Sequence, residues 1–363
     1  MRVTQNTKTR PDLLNDPILP TLKTMTVPMI FGMIMLMMFN IVDTFFISLL
    51  GTEPLAAVSF TFPVTFTVIS LAIGLGIGTS AVIAKALGSN KIDEARFDAS
   101  ISIMVAVVLV LALSLIGYLL IDPVFTLLGA GQQVLPLIHD YMNIWFIGSV
   151  FLITPMIGNS VLRASGDTKT PSIVMGGAGL INAILDPMLI FGFGPIPAMG
   201  IQGAAIASVI AWAVAVVIIL YILTVKKRLL SLKAGSQTVV GAIRKILKIG
   251  VPAAGANMLT PVAMAVMTAL VANHGPEAVA AFGVGSRIES IASILVLALS
   301  MTLPPFVSQN FGAGKLCRVK DAYIGTLKFV MVWQFIIYIL LIIFSGVISQ
   351  LFGKEQAVID VIK

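Results

Sequence analysis

Residues 99–121 read ASISIMVAVVLVLALSLIGYLLI, a stretch without a single charged side chain. A stretch this long and apolar is typical of an α-helix that crosses a lipid bilayer, which needs about 20 apolar residues. The rest of the chain has the same character, because 58% of its 363 residues are hydrophobic and only 11% are charged. Soluble domains are about 25% charged. The composition therefore excludes a soluble enzyme or a DNA-binding domain and predicts a polytopic membrane protein.

Eight more stretches are long and apolar enough to span a membrane. The nine predicted spans lie approximately at residues 27–50, 59–84, 99–121, 138–160, 171–192, 201–224, 250–272, 279–308 and 322–352. Apolar residues run continuously in each span rather than alternating, which favours helices over the strands of a β-barrel. The predicted fold class is therefore an all-α polytopic membrane protein.

The charged residues predict how these spans are oriented. The net charge of +7 suggests nucleic acid as a partner, but in so apolar a chain basic residues mark the cytoplasmic loops of a membrane protein. With the N-terminus in the cytoplasm, 20 of the 23 Lys and Arg fall in cytoplasmic segments. Only Lys354 and Lys363 fall outside, and Arg287 lies within a span. We therefore expect a cytoplasmic N-terminus, contact with membrane lipids and no nucleic-acid partner.

Cysteine and histidine usage excludes two further classes. The single Cys317 rules out a disulfide framework, and two histidines with one cysteine leave little for a zinc site. No organic cofactor is expected.

A repeat relates the two halves of the chain. A shift of 224 residues places Val27-Pro28 on Val251-Pro252 and Gly88 on Gly312 without a gap. The repeated unit contains six spans, so both copies begin on the same side of the membrane and are parallel repeats. The predicted domains are a cytoplasmic N-terminal segment (1–26), an N-lobe (27–225), a basic cytoplasmic linker (226–249) and a partial C-lobe (250–363). The second copy stops after three spans, so we expect a C-terminally truncated relative of a 12-span protein; a natural nine-span protein is the alternative.

Ionisable residues within spans are costly and are therefore candidates for function. Asp43 and Asn40 are three residues apart in the first span and share a helix face, which continues through Met37 and Met33. This face predicts a coupling site at Asp43 and Asn40, with Met33 and Met37 lining a substrate cavity. The alternative is a carboxylate that only bonds to a neighbouring helix.

A second acid lies in the fifth span. Asn182 and Asp186 are four residues apart and project from one face, and Pro187 frees a backbone carbonyl one turn earlier. A carboxylate, an amide and a free carbonyl predict an oxygen site for Na⁺ or H⁺, formed by Asp43, Asn182 and Asp186; the alternative is a structural kink. Two carboxylates in one site titrate as a unit, and proton uptake there would displace a bound cation, as an antiporter requires.

Arg287 and Glu289 lie early in the eighth span. Arg287 is a candidate cavity-lining or gating cation, and the alternative is that it pairs with Glu289 or with backbone at the membrane surface.

Five segments together resemble the multidrug and toxin extrusion (MATE) transporters. They are Asn40 with Asp43, Asn182 with Asp186-Pro187, Ala84–Gly88, Gln309–Gly312 and, most specifically, Leu162–Pro171. The resemblance implies two six-helix lobes that form a V, here with the second lobe incomplete. It implies a monomer in the cytoplasmic (inner) membrane that exports organic, mainly cationic and amphipathic drugs in exchange for H⁺ or Na⁺ by alternating access. Asp43, Asn182 and Asp186 correspond to the family's N-lobe cation site.

Details of the resemblance favour one branch of that family. Residues 250–272 contain no acid, which departs from the branch with a seventh-span glutamate, and Arg287 resembles the eighth-span arginine of the DinF-like branch. Ser208 is the nearby candidate for a sixth-span hydroxyl in the cation site. The alternative function is a lipid-linked oligosaccharide flippase of the same superfamily. A membrane-embedded prenyltransferase lacks its acidic cluster here, so an enzyme is not expected.

Overall fold

The computed structural model describes residues 11–233, 238–272 and 276–352. Its helices are α1 (Ile18–Ser48), α2 (Thr52–Gly88), α3 (Ile92–Leu119), α4 (Ile121–Leu127), α5 (Leu135–Ala164), α6 (Lys169–Ile190), α7 (Gly200–Tyr221), α8 (Val239–Ala272), α9 (Pro276–Ala292), α10 (Ile294–Gly312) and α11 (Leu316–Phe352). A π-helical turn, Ile222–Lys226, follows α7 directly. The predicted all-α fold is confirmed over these residues.

Nine of the described helices are long and apolar enough to cross a membrane, which agrees with the predicted number of spans. Their bounds differ from the prediction at several places. Helix α1 begins at Ile18, inside the predicted N-terminal segment 1–26, and α8 begins at Val239, inside the predicted linker 226–249. Parts of these two segments and of the C-lobe, namely 1–10, 234–237, 273–275 and 353–363, lie outside the described residues.

The prediction of one continuous helix for the eighth span is wrong. The stretch 279–308 is divided between α9 and α10, which meet at Ser293. Backbone hydrogen bonds continue on both sides of the interruption, from Ser293 N to Glu289 O and from Leu297 N to Ser293 O, each 2.9 Å long. Just before it, the hydroxyl of Ser290 donates to the carbonyl of Ser286. Serine hydroxyls that bond to the preceding turn bend helices, and hydropathy does not register this effect.

Helix α2 lies at the centre of the N-lobe, which comprises α1 to α7. It packs against α3 and α5, and the shared core contains Leu75, Phe97, Trp145 and Ile157. Helices α1, α6 and α7 form the other side of the lobe, where α1 packs on α6 and α6 packs on α7. The C-lobe comprises α8 to α11. Helix α8 packs against α2, and α10 packs against α2 and α1.

The two lobes meet through contacts that obey the sequence repeat. A Cβ atom on Gly88 would overlap the carbonyl oxygen of Gln309, and a Cβ atom on Gly312 would overlap the carbonyl oxygen of Lys85. The shift of 224 residues converts the first contact into the second. The lobes are therefore related by a pseudo-two-fold axis, as parallel repeats require.

A second pair of equivalent contacts lies further along the same interface. Gly78 of α2 meets Gly250 of α8 backbone to backbone, with the Cβ position of Gly78 2.9 Å from Gly250 N. The repeat-related pair, Thr302 and Thr26, joins the lobes by a hydrogen bond of 2.9 Å between buried hydroxyls. The helices of the two lobes thus approach each other through glycines at one of the equivalent positions and through a pair of hydroxyls at the other. Small residues and hydroxyls of this kind are common where membrane helices pack closely.

These interlobe contacts lie toward one end of the bundle. At this end α2 passes to α3 and α10 passes to α11, and Lys85, Lys91 and Lys315 lie there. We call it the basic end.

Substitutions at Gly88 and Gly312 test the pseudo-two-fold contact. Gly88→Ala and Gly312→Ala each force a methyl group onto a backbone carbonyl, and overpacking of this kind costs about 1–3 kcal/mol. We expect both to lower the melting temperature of the purified protein by similar amounts. Gly325→Ala is the control, because the Cβ position of this α11 glycine has no neighbour within 4 Å. Equal melting temperatures for all three variants would contradict the contact.

Candidate ion-coupling site

The candidate site depends on a close contact between α1 and α6. The ring of Phe39 on α1 lies directly over Gly179 on α6, where a Cβ atom would overlap ring carbon Cδ2. Nearer the basic end, the Cβ position of Gly32 lies 3.2 Å from Ser172, so small residues hold the two helices close along several turns. This contact fixes which residues face each other further along both helices.

One turn beyond Phe39, the two membrane acids meet. Asp43 follows Phe39 by four residues, while Asn182 and Asp186 follow Gly179 at helical spacing, so all project from the facing surfaces. The carboxyl groups of Asp43 and Asp186 lie within hydrogen-bonding reach of each other. Asp186 is fully buried. Oδ1 of Asp43 and Oδ2 of Asp186 are buried and make no hydrogen bond.

The amide of Asn182 connects this pair to a third helix. Its Nδ2 donates to Oδ1 of Asp186 at 3.1 Å and lies 3.2 Å from Oγ of Ser208 on α7. Both contacts lie within the N-lobe. The structure therefore brings together four of the residues that the sequence singled out: Asp43, Asp186, Asn182 and Ser208.

Tyr141 is a site residue that the sequence reasoning missed. It lies on α5, belongs to the buried core of the N-lobe, and its phenol is close enough to interact electrostatically with both carboxylates. The signal in the sequence is weak, since it is one tyrosine beside Asp140 at the start of an otherwise apolar helix.

The geometry limits the occupant to a small positive species. Two carboxylates at this distance, each with a buried oxygen, repel each other when both are ionised, so the pair suits a shared proton or a small cation. For Na⁺, the oxygen donors available are Asp43, Asp186 and the Oδ1 of Asn182, once that amide turns its oxygen inward. The described part of the chain contains no cluster of three or more His, Cys, Asp or Glu side chains that would suit a transition metal.

Asn40 is not brought to the carboxylate pair. Its Nδ2 donates to the carbonyl of Leu36 in its own helix at 3.0 Å. Among the predicted cavity methionines, Met33 is half-buried and Met37 is 37% exposed. They continue the α1 face from the site toward the basic end.

Other predicted polar residues lie away from the pair. Arg287 and Glu289 are both exposed on α9, and within the described residues no ion pair joins them. Asp140 accepts a hydrogen bond of 2.9 Å from Nε2 of Gln202, which ties the start of α5 to the start of α7.

The most specific sequence motif, Leu162–Pro171, forms the turn from α5 to α6. Asp167 caps α6 by accepting from the backbone N of Thr170 at 3.1 Å and from its hydroxyl at 2.8 Å. Nζ of Lys227 lies 2.9 Å from Oδ2 of the same carboxylate. The motif therefore joins α5, α6 and the segment after α7 at the basic end of the N-lobe. It lies away from the Asp43–Asp186 carboxylate pair.

Two lobes of membrane helices, related by a pseudo-two-fold axis and carrying a buried carboxylate pair, define a membrane transporter and not an enzyme. A family model described as MatE matches residues 28–188 and 252–363, and the chain belongs to that family. The two matches begin 224 residues apart, at the offset of the internal repeat.

Relatives with curated names fall into two groups. The chain is 44% identical over 354 residues to a protein of Shewanella oneidensis named FAD transporter, covering 97% of this chain and 78% of that one. It is 26% identical over 350 residues to the multidrug export protein MepA of Staphylococcus aureus, covering 95% and 76%. Among solved structures, the Vibrio cholerae MATE transporter VcmN in its bent form superposes with a TM-score of 0.89 at 33% identity, covering 94% of this chain and 77% of that chain.

The α1–α6 contact can be tested with a pair of cysteines. In a Cys317→Ser background, Asp43→Cys and Asp186→Cys should be joined efficiently by a short bis-methanethiosulfonate cross-linker. Adding Gly179→Val should lower the yield at least several-fold, because its side chain displaces Phe39 and moves α1 away. Gly177→Val on the same helix is the control, since the Cβ position of Gly177 has no neighbour within 4 Å. An unchanged yield with Gly179→Val would show that Phe39 and Gly179 do not set the register.

Proposed function

We propose that this protein is a secondary active exporter in which the Asp43–Asp186 pair exchanges a proton for cargo. The observation that carries the proposal is the close approach of two carboxyl groups, each with a buried oxygen that lacks a hydrogen-bond partner. A buried acid pair of this kind is costly in a membrane helix bundle unless it binds something.

The geometry favours a proton over Na⁺ as the first occupant. The carboxyl groups are within hydrogen-bonding reach, so one shared proton satisfies both without rearrangement. Asn182 presents its Nδ2 to Asp186, which suits an acceptor oxygen and not a bound cation. Na⁺ binding would require the amide to rotate and the acids to separate, which keeps Na⁺ as the alternative coupling ion.

The first cargo we propose is flavin adenine dinucleotide. The support is the 44% identity, over nearly the whole chain, to the Shewanella oneidensis protein named FAD transporter. Organic cations are the second candidate, supported by the more distant relative MepA. The carboxylate pair itself binds the coupling ion and does not choose between these cargoes.

The placement in the membrane follows from charge and packing. We infer that the basic end faces the cytoplasm, with the N-terminus on that side, in the cytoplasmic (inner) membrane, and that the protein works as a monomer. The domain division into an N-lobe at 27–225 and a C-lobe from 250 belongs to the same proposal. The interlobe contacts described above gather at the basic end, so this structure corresponds to a state that is closed toward the cytoplasm.

The function is tested by efflux from proteoliposomes. Vesicles loaded with FAD or with ethidium are exposed to an imposed pH gradient or an imposed Na⁺ gradient, and release is followed by fluorescence. We expect FAD release that depends on the pH gradient and is lost in Asp43→Asn and in Asp186→Asn. Asp140→Asn, which removes a membrane-end acid outside the pair, should retain efflux.

Each outcome decides between the candidates. Release of ethidium and not FAD would replace the cargo, and release driven only by Na⁺ would replace the coupling ion. Gradient-driven efflux that persists in Asp43→Asn would refute the coupling role of the pair.

The role of Ser208 gives a graded prediction. Removing its hydroxyl in Ser208→Ala leaves Asn182 with the Asp186 contact only, so the amide is less well oriented. The lost hydrogen bond is worth about 1 kcal/mol, and we expect the pH-driven efflux rate to fall about five-fold while the protein still folds. Ser149→Ala serves as a control, because Ser149 makes its hydrogen bonds elsewhere, to Ser114 and Phe146. Equal rates for both variants would exclude a positioning role for Ser208.

A further inference from the structure

An ion pair crosses the lobe interface at the basic end. Nζ of Lys245, on the first turns of α8 in the C-lobe, lies 2.6 Å from Oε1 of Glu94 on α3 in the N-lobe. The same ammonium group is 4.0 Å from Oδ2 of Asp98. The side chain of Asp98 is fully buried, and neither of its oxygens makes a hydrogen bond. Lys245 is therefore the cation that faces a buried carboxylate of the opposite lobe.

A second polar contact crosses the interface at a different place. The residues that precede α1 lie against the turn between α10 and α11. Nη2 of Arg318 donates to the carbonyls of Asp16 at 2.7 Å and Leu13 at 3.2 Å. Nζ of Lys315 donates to the carbonyl of Leu14 at 2.9 Å. The segment that precedes α1 is thus bound to the C-lobe by hydrogen bonds from the side chains of Arg318 and Lys315.

The segment that receives these bonds is itself ordered by Asp12. Its Oδ1 accepts from the backbone N of Leu14 at 2.9 Å, and its Oδ2 accepts from Nδ2 of Asn15 at 2.7 Å. Burial raises the pKa of this carboxyl, but the hydrogen bonds from Asn15 and Leu14 outweigh burial and hold the pKa below its usual value. The turn is therefore held by a charged carboxylate at neutral pH.

The two contacts are related by the sequence repeat. The shift of 224 residues places Glu94 on Arg318 and the start of α3 on the start of α11. It also places the first turns of α8, which carry Lys245, on the start of α1 next to the bound segment. Equivalent positions of the two repeats therefore form the two interlobe contacts. One is an ion pair between Lys245 and Glu94, and the other consists of hydrogen bonds from Arg318 and Lys315 to backbone carbonyls.

We propose that these two repeat-related junctions, Lys245 with Glu94 and Asp98, and Arg318 with the segment 11–17, are latches that hold the basic end closed. The proposal rests on the alternating-access function above, since a transporter must open this end to load cargo from that side. Both latches must release together for the lobes to part there.

The chemistry of the two latches differs, and the difference is functional. When Lys245 leaves, Asp98 loses the ammonium group that lies 4.0 Å from its Oδ2, so a buried carboxylate is left uncompensated until water enters. When Arg318 leaves, the backbone carbonyls of segment 11–17 lose the hydrogen bonds from its guanidinium and accept hydrogen bonds from water instead. The Lys245 latch therefore resists the first separation more strongly than the Arg318 latch.

The latches can be tested without any transport measurement. In a Cys317→Ser background, Thr26→Cys places a thiol at a buried interlobe position toward the basic end, where Thr26 is 4% exposed. A hydrophilic maleimide should react with it in detergent only when the lobes separate. Lys245→Met and Arg318→Met should each raise the labelling rate, by about 5- to 10-fold for Lys245→Met and less for Arg318→Met. The double variant should exceed either.

Matched controls remove one charge from the same helices. Lys248→Met on α8 and Lys320→Met on α11 change exposed lysines near the same junctions and should leave the rate unchanged. Lys245→Arg should stay close to the starting rate, since it keeps the charge opposite Glu94 and Asp98. Size-exclusion profiles of all variants separate opening from unfolding.

The result that overturns the proposal is a labelling rate that does not change in Lys245→Met and Arg318→Met, or that rises equally in the controls. This readout is independent of cargo and coupling ion. If efflux fails in the proteoliposome experiment while labelling responds as expected, the proposed function fails and the latches stand.

Discussion

The contact between Phe39 and Gly179 holds α1 against α6, and the rest of the site follows from it. A side chain at position 179 would push the ring away, and the carboxyl groups of Asp43 and Asp186, one to two turns further along, would separate. Their proximity is what makes the pair chemically useful, because neither acid alone is obliged to share a proton. The packing of Phe39 on Gly179 thereby determines how close the two carboxyl groups lie and how strongly they interact.

The repeat supplies the frame in which this site works, but it does not duplicate the site. Gly88 with Gln309 and Gly312 with Lys85 give the two lobes equivalent contacts at the basic end. In contrast, the residue that the repeat places opposite Asp43 is Met267, which is 46% exposed. In the proposed function, closure is therefore shared between the lobes, while ion binding is confined to the N-lobe. The proposed exchange then needs only a movement of the lobes about the shared interface, which would change the side from which the acids are reached and leave the pair intact.

Much of this arrangement was predictable from the sequence. Hydropathy gave the number of spans because each span must bury its own backbone hydrogen bonds in a long apolar helix. The acids Asp43 and Asp186 stood out because charge is rare within spans. The pairing of Asn182 with Asp186 followed from helical spacing. These features depend on local composition and on the geometry of a single helix.

The features that were missed depend on contacts between helices or on side-chain choices. Asn40 has the spacing to join the site, but its amide bonds to Leu36 in its own helix, an option that spacing does not reveal. Tyr141 comes within electrostatic range of the acids only because α5 packs into the same lobe. The interruption at Ser293 and the helical start at Ile18 depend on local backbone hydrogen bonding rather than on hydropathy.

The central claim is that the Asp43–Asp186 pair exchanges one proton for cargo. Proton release can be followed with a pH-indicator dye when cargo, FAD or ethidium, binds to purified protein in weakly buffered solution. The account predicts release of about one proton per bound cargo, and none in Asp43→Asn or Asp186→Asn. Cargo binding without proton release, or release that persists in both variants, would contradict it.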